Sequence, residues 1–176
     1  MRRLPVLLLV IVSVFGLITT GVLAQGGPPS PDATPGAVGV SGIPLGGVDP
    51  VGAPGYRLEV VELTWDAGAY VTRHFHPTAL ITCVQEGALG FTLQHGAASV
   101  TRGGTADVPG SPEPLALDTE VVLEPRDCIT FDELASHMEH AGWNASDGPT
   151  VLWEARLVDP DRPFTTYVND MGTPVS

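Results

Sequence analysis

The stretch "RHFHPTALITCVQEG" (residues 73–87) carries two histidines, His74 and His76, separated by one phenylalanine. On an extended strand, side chains alternate, so both imidazoles leave the same face about 7 Å apart. Neutral imidazole is a ligand for Zn, Fe, Mn, Cu and Ni. The same pair also serves as a plain polar strand start, so further ligands must come from elsewhere in the chain. Three more histidines are available, His95, His137 and His140. His95 begins "HGAA", a tight turn, and reads as a solvated loop residue. His137 and His140 lie in "SHMEHAGWN", with Glu133 and Glu139 close in sequence as alternative carboxylate donors. Hydrolase, phosphate-loop, zincin and Cys-x-x-Cys redox patterns are absent.

The elements that would position these groups are short strands. "YRLEVVELTW" alternates over residues 56–65, "DAG" at 66–68 reads as a turn, and "AYVTRHFH" and "ALITCVQ" read as strands. A Gly turn then leads into "EGALGFTLQ", and "SVTRGG" opens another strand. Residues 103–119 form a loop with three prolines. "EVVLEPRDCITFDE" holds two strands divided by a Pro turn, "LASHMEHAGW" reads as a loop entering a strand, and "VLWEARLV" is the last strand. Gly (21) and Pro (17) are abundant, and no long stretch has a 3.6-residue period. Short strands joined by turns predict an antiparallel sandwich or barrel.

The N-terminal "MRRLPVLLLVIVSVFGLITTGVLAQ" has a basic start, an apolar run and small residues before a cut after Ala24. Residues 1–24 are therefore expected to be a signal peptide, with an uncleaved anchor over Leu4–Ala24 as the alternative. Either reading exports the domain, to a secreted or extracytoplasmic place. Residues 25–42, rich in Gly and Pro, read as a flexible linker, 43–160 as the folded domain and 161–176 as a tail that wraps it. The "VGVSGIPLGG" part has enough branched residues to dock as an irregular edge strand. The net charge is −12, and all eight basic residues are Arg. Such a surface argues against binding nucleic acid, or a membrane beyond the signal segment. Export permits a disulfide between Cys83 and Cys128; two buried apolar thiols that never meet are the other reading.

In the spacing of its histidines and glycines the chain resembles the cupins, whose first motif runs Gly, five residues, His-x-His, three or four residues, Glu, six residues, Gly. Gly68, His74, His76 and Gly87 match. Leu80 stands where the glutamate is expected. The second motif is less complete. Pro125-Arg126-Asp127 has Arg126 in place of Gly, while His140 and Asn144 fit His-x3-Asn; His137 fits a shorter interval but loses the Asn. "NAS" at 144–146 also matches a glycosylation acceptor, but Asn144 is better explained by the motif. The resemblance covers residues 43–160. It implies an all-β fold, an antiparallel double-stranded β-helix (jelly-roll barrel). It further implies that His74, His76 and His140 hold one divalent transition metal (Fe, Mn, Zn, Cu or Ni) without the usual carboxylate.

Strand parity adds that Leu80, Thr82 and Val84 face inward with the histidines, unless Pro77 shifts the register, giving a largely apolar pocket to which Phe131 and Trp153 are candidates. Cys83 then faces out. In the jelly roll its strand pairs with that of Cys128, which favours the disulfide. Two readings of function stay open: a metal-dependent catalyst acting by oxidation or Lewis-acid chemistry on a small organic molecule, and a non-catalytic module binding a small molecule or sugar. A structural envelope protein is the weaker third. Edge-strand pairing leaves a homodimer open.

Overall fold

The structure, a computed structural model, describes residues 26–30, 33–105, 107–108, 110–169 and 171–175, the side chain of Leu134 excepted. The signal segment expected at 1–24 lies outside the described residues. No helix among the described residues is long and apolar enough to cross a membrane.

The described residues form eleven antiparallel strands and one helical turn: β1 (Ala37–Val48), β2 (Arg57–Phe75), β3 (Ala79–Glu86), β4 (Leu89–His95), β5 (Ser99–Thr101), β6 (Pro112–Pro114), β7 (Glu120–Leu123), β8 (Cys128–Asp132), α1 (Glu133–Ser136), β9 (Glu139–Asn144), β10 (Thr150–Val158) and β11 (Thr166–Tyr167). Their order is β6-β5-β8-β3-β10-β2-β9-β4-β7, with β1 and β11 also on β2. β2 is the hinge of this barrel. Its first half pairs with β10 through Arg57–Trp65, and its second half pairs with β9 through Tyr70–His74. The two halves of the sheet therefore fold toward one another. Ile129, Val84 and Leu152 on one side and Phe91, Leu93 and Leu123 on the other make a single core between them.

The expected turn at 66–68 is instead a bend inside β2. Gly68 takes φ 77°, a left-handed conformation open to glycine at little cost, so β2 turns the corner at a register break between Trp65 and Tyr70 and continues as one strand. Gly87, the other motif glycine, sits at φ 75° between β3 and β4. Arg126, which replaces a motif glycine, holds φ 80°. The turn survives with a residue that pays roughly 1–2 kcal/mol to adopt it.

β1 begins at Ala37, inside the stretch read as linker. Its side chains are mostly exposed, so side-chain patterning could not reveal it; the free edge of β2 supplies the backbone partners that order it. The described residues after Asp161 lie against the barrel as well. β11 pairs with Phe75 and His74, and the Val168 N–H donates to the Arg73 carbonyl at 3.0 Å. Cys83 and Cys128, direct partners across β3 and β8, are joined by a disulfide.

Asn144, fully buried, closes the end of β9. Its amide nitrogen, with two hydrogens to share, lies 2.7–3.0 Å from the carbonyls of Trp65, Asp66 and Gly148. Its oxygen accepts from the Ser146 N–H, the Ser146 hydroxyl and the Thr150 hydroxyl at 2.7–2.8 Å. This Asn ties the bend of β2 to the β9–β10 turn, a role that leaves its amide inaccessible to a glycan.

Candidate metal centre

His74 and His76 lie at the end of β2, and His140 stands opposite His74 on the adjacent β9. All three are buried, and one ring nitrogen from each lies within 4.8 Å of the others. The ring centroids of His140 are 4.1 Å from His74 and 5.2 Å from His76. His137 is at φ 41°, with an exposed side chain that turns outward to Glu139 at 3.7 Å. The alternative placement of the third histidine is therefore not what the barrel brings together.

Hydrogen bonds determine which nitrogen each ring offers. His74 Nδ1 is 2.7 Å from the Thr72 carbonyl, and His76 Nδ1 is 3.0 Å from the Phe164 carbonyl. A carbonyl can only accept, so both Nδ1 atoms carry hydrogen and both Nε2 atoms are bare lone pairs. Those two Nε2 atoms face each other at 3.0 Å. Two facing lone pairs repel unless a cation or proton lies between them. Nitrogens bound at about 2.1 Å to one ion stand about 3–4 Å apart, so the pair fits a shared metal.

The electrostatics agree. Burial pushes the His74 imidazole down to about 4. Burial, then the field of the neighbouring His74, holds His76 and His140 well below the ordinary value. All three rings are neutral near pH 7, the form that ligates metal.

Carboxylates are arranged around this cluster. Glu133, on α1, accepts from the backbone N–H of His76 through Oε2. Its Oε1 and the His140 Nδ1 are both buried without a hydrogen-bond partner among the described residues and lie 3.9 Å apart. That is an ion-pair distance but too long for a hydrogen bond, so the two groups are a poised pair rather than a formed one. Burial, with the charge of Glu139, raises the Glu133 carboxyl to about 9 against the pull of the His76 N–H. Glu139 itself is bonded to Arg73 Nε at 2.7 Å. Arg73, which parity alone places in solvent, is thereby half-buried in an ion pair.

Behind the histidines lies a cavity of about 220 Å³. Thr82 and Phe131 line it. Leu80 and Val84 are buried but are not on its wall; parity tells which face a residue takes, not how deep along the barrel it sits. Leu80 instead borders a groove shared with Ala79, Ile81 and Leu157. Trp153 is half-exposed and donates its indole N–H to Glu62 at 2.9 Å. Trp65 is the tryptophan that lines the cavity.

Several lining groups had no signal in the sequence. Phe91 stacks on His140 at 5.0 Å and Phe164 on His76 at 4.4 Å, with the Arg156 guanidinium over Phe164 at 4.0 Å. Arg156 also bonds Glu59 at 2.6 Å and Glu154 at 3.1 Å. Glu154 accepts from the Thr82 hydroxyl at 3.1 Å, and burial raises its carboxyl even against Arg156. Only tertiary folding brings these together.

No family model matches the chain, and no curated protein matches it. Solved structures do. A cupin 2 domain-containing protein from Halorhodospira halophila shares 20% identity over 76% of this chain and 73% of that one, with a TM-score of 0.45. KdgF from Halomonas sp. shares 18% over 70% and 83%, at 0.43. The polyketide cyclase RemF from Streptomyces resistomycificus shares 16% over 76% and 74%, at 0.41. The Escherichia coli ycfD structure is covered over only 26% of its own length, at 12% identity and a TM-score of 0.38. The antiparallel barrel hinged on β2 gathers His74 and His76 with His140 across β2 and β9, the all-β architecture and histidine cluster that the resemblance to the cupins implies.

Proposed function

We propose that this is an exported cupin-type protein that holds one divalent transition metal through His74, His76 and His140 and acts on a small organic molecule in the cavity behind them. The carrying observation is the pair of Nε2 lone pairs facing each other at 3.0 Å while both Nδ1 atoms are committed to backbone carbonyls. A metal bound there supplies Lewis acidity or, for Fe, Mn or Cu, redox chemistry. The protein's own part is to keep the three imidazoles neutral by burial, to orient two of them through Thr72 and Phe164, and to exclude bulk water with Phe91, Phe131 and Phe164. Leu80 in place of a carboxylate leaves an all-nitrogen ligand set, which suits Fe(II), Cu, Ni or Zn.

Metal analysis of tag-free protein purified from metal-supplemented medium tests this. The expected result is near one equivalent of a transition metal, falling at least tenfold in a His74→Ala, His76→Ala double variant. Less than about a tenth of an equivalent in the wild type would end the proposal. The apolar cavity favours one second reading, a binding module that uses the pocket without metal; ligand binding unchanged in the double variant would select it. In both readings a small molecule is the partner. Export and the homodimer are parts of the proposal that fractionation and sedimentation would check.

A further inference from the structure

One outer face of the barrel is apolar. Ile43, Val48, Leu58, Ile81 and Trp153 are 43–61% exposed, and strand register puts them on the same side of β1, β2, β10 and β3. Trp153 lies between Glu62 and Cys83, and Leu157, at the other end of β10, lies between Leu58 and Ala79. The row through Ala155 and Ile81 runs between these two ends, and Ile43 and Val48 extend the face onto β1. Glu62 is the charged residue among them, and it accepts from the Trp153 indole N–H at 2.9 Å. Four strands about 4.8 Å apart and three rows about 7 Å apart give a face of roughly 400 Å². That is about half of what each partner buries in a standard interface, the apolar centre that a polar rim completes.

Three observations select a second copy of this chain as the occupant. A net charge of −12 makes two copies repel wherever that charge is displayed, and this face displays almost none. The face also carries both halves of an interlocking contact. Trp153 stands at one end, and at the other Leu58, Ala79 and Leu157 border a groove of about 550 Å³. A two-fold axis lying in the interface along the Ala155–Ile81 row exchanges the two ends, so each Trp153 meets the groove of the other copy. Finally, pairing along the free edge of β1 is discouraged. That strand has two register shifts and contains Pro44, devices that keep edges from joining.

We propose that the chain forms a two-fold homodimer through the outer face of β1, β2, β10 and β3, with Trp153 of each copy seated in the groove of the other. This assigns an interface to the homodimer of the proposed function; it does not use that reading's metal.

The test is sedimentation equilibrium of the untagged protein, wild type against Ile81→Asp. The wild type should dimerise with a Kd below about 10 µM. The variant should dimerise at least about a hundredfold more weakly, because a change on the two-fold row counts twice and sets two carboxylates against each other. Position 81 lies on β3, flanked by β8 and β10, so a dimer joined along the β1 edge would keep its affinity in the variant. That result, or a wild type still monomeric at about 100 µM, would overturn the proposal. A second measurement needs no variant. Trp65 and Trp143 are buried and Trp153 is 48% exposed, so acrylamide quenching of tryptophan fluorescence reports chiefly on Trp153. Diluting the wild type through its dissociation midpoint should raise that quenching by about twofold, since an interface centre excludes solvent; unchanged quenching would also overturn the proposal. Dimerisation of protein that holds no metal would retain this interface and reject the metal reading, and a metal-loaded monomer would do the reverse.

Discussion

Glutamine at position 133 keeps the shape of the glutamate and removes its ionisation. The Glu133 side chain is 2% exposed, and burial, with Glu139, holds its carboxyl at about 9 against 4.5 in the unfolded chain. The native state therefore keeps a proton that the denatured state releases. Its stability is complete below pH 4.5 and is lost progressively as pH rises toward 9. At pH 7.5 the gap of three pH units corresponds to at most about 4 kcal/mol, reduced to about 2–4 kcal/mol by water reaching the site. The carboxamide oxygen of Gln can still accept from the His76 N–H. Glu133→Gln should thus stabilise the metal-free protein by about 2–4 kcal/mol at pH 7.5 and by under about 1 kcal/mol at pH 5, in urea unfolding followed by fluorescence. The same change should weaken metal binding by about tenfold or more, measured by chelator competition. The reason is that a bound cation would draw Glu133 into its ionised form beside His140 Nδ1, and such outer partners are typically worth 10- to 100-fold in affinity. An equal effect at pH 5 and pH 8, or a destabilised variant at pH 8, would refute the reasoning.

The three buried neutral imidazoles act in the opposite direction on pH. Unfolding lets each take a proton below 6.5, so stability should fall from pH 6.5 toward 4, with a slope of at most about 4 kcal/mol per pH unit, seen in denaturant midpoints across that range. Bound metal should suppress that acid limb. Replacing both Cys83 and Cys128 by Ala opens a link across a separation of 45 residues and should cost about 2–4 kcal/mol, measured under the same denaturant. Asn144→Ala removes a side chain whose two amide hydrogens and carbonyl oxygen are all engaged at a fully buried site and should lower stability by about 3 kcal/mol or more, read as a fall in Tm.

Much of the barrel is visible in residue patterning because β2 and β3 each bury one face and expose the other. Gly68 and Gly87 mark real conformational demands, both at positive φ, which is why their spacing around His74 and His76 carries information. The continuity of β2 through 66–68 is hidden because a glycine bend and a turn look alike in sequence. β1 is hidden for a different reason: its ordering comes from backbone bonding to an edge, with little side-chain burial. Glu133, Trp65, Glu154 and Phe164 reach the site from α1, β2, β10 and the C-terminal segment, and no local spacing links them to His74. Glu133 could be named only as one of two nearby carboxylates, and the ion pair of Glu139 with Arg73 is what separates the two.

The carbonyl that receives the His76 Nδ1–H belongs to Phe164, in the segment that runs on to β11 and the bridge between Val168 and Pro174. Tail docking and the His76 tautomer are therefore thermodynamically reciprocal. An ion that holds the bare Nε2 fixes hydrogen on Nδ1 and tightens the C-terminal segment, and a docked segment raises affinity for the ion by the same factor. Protease resistance of the last fifteen residues thus becomes a reporter of an event in the barrel interior.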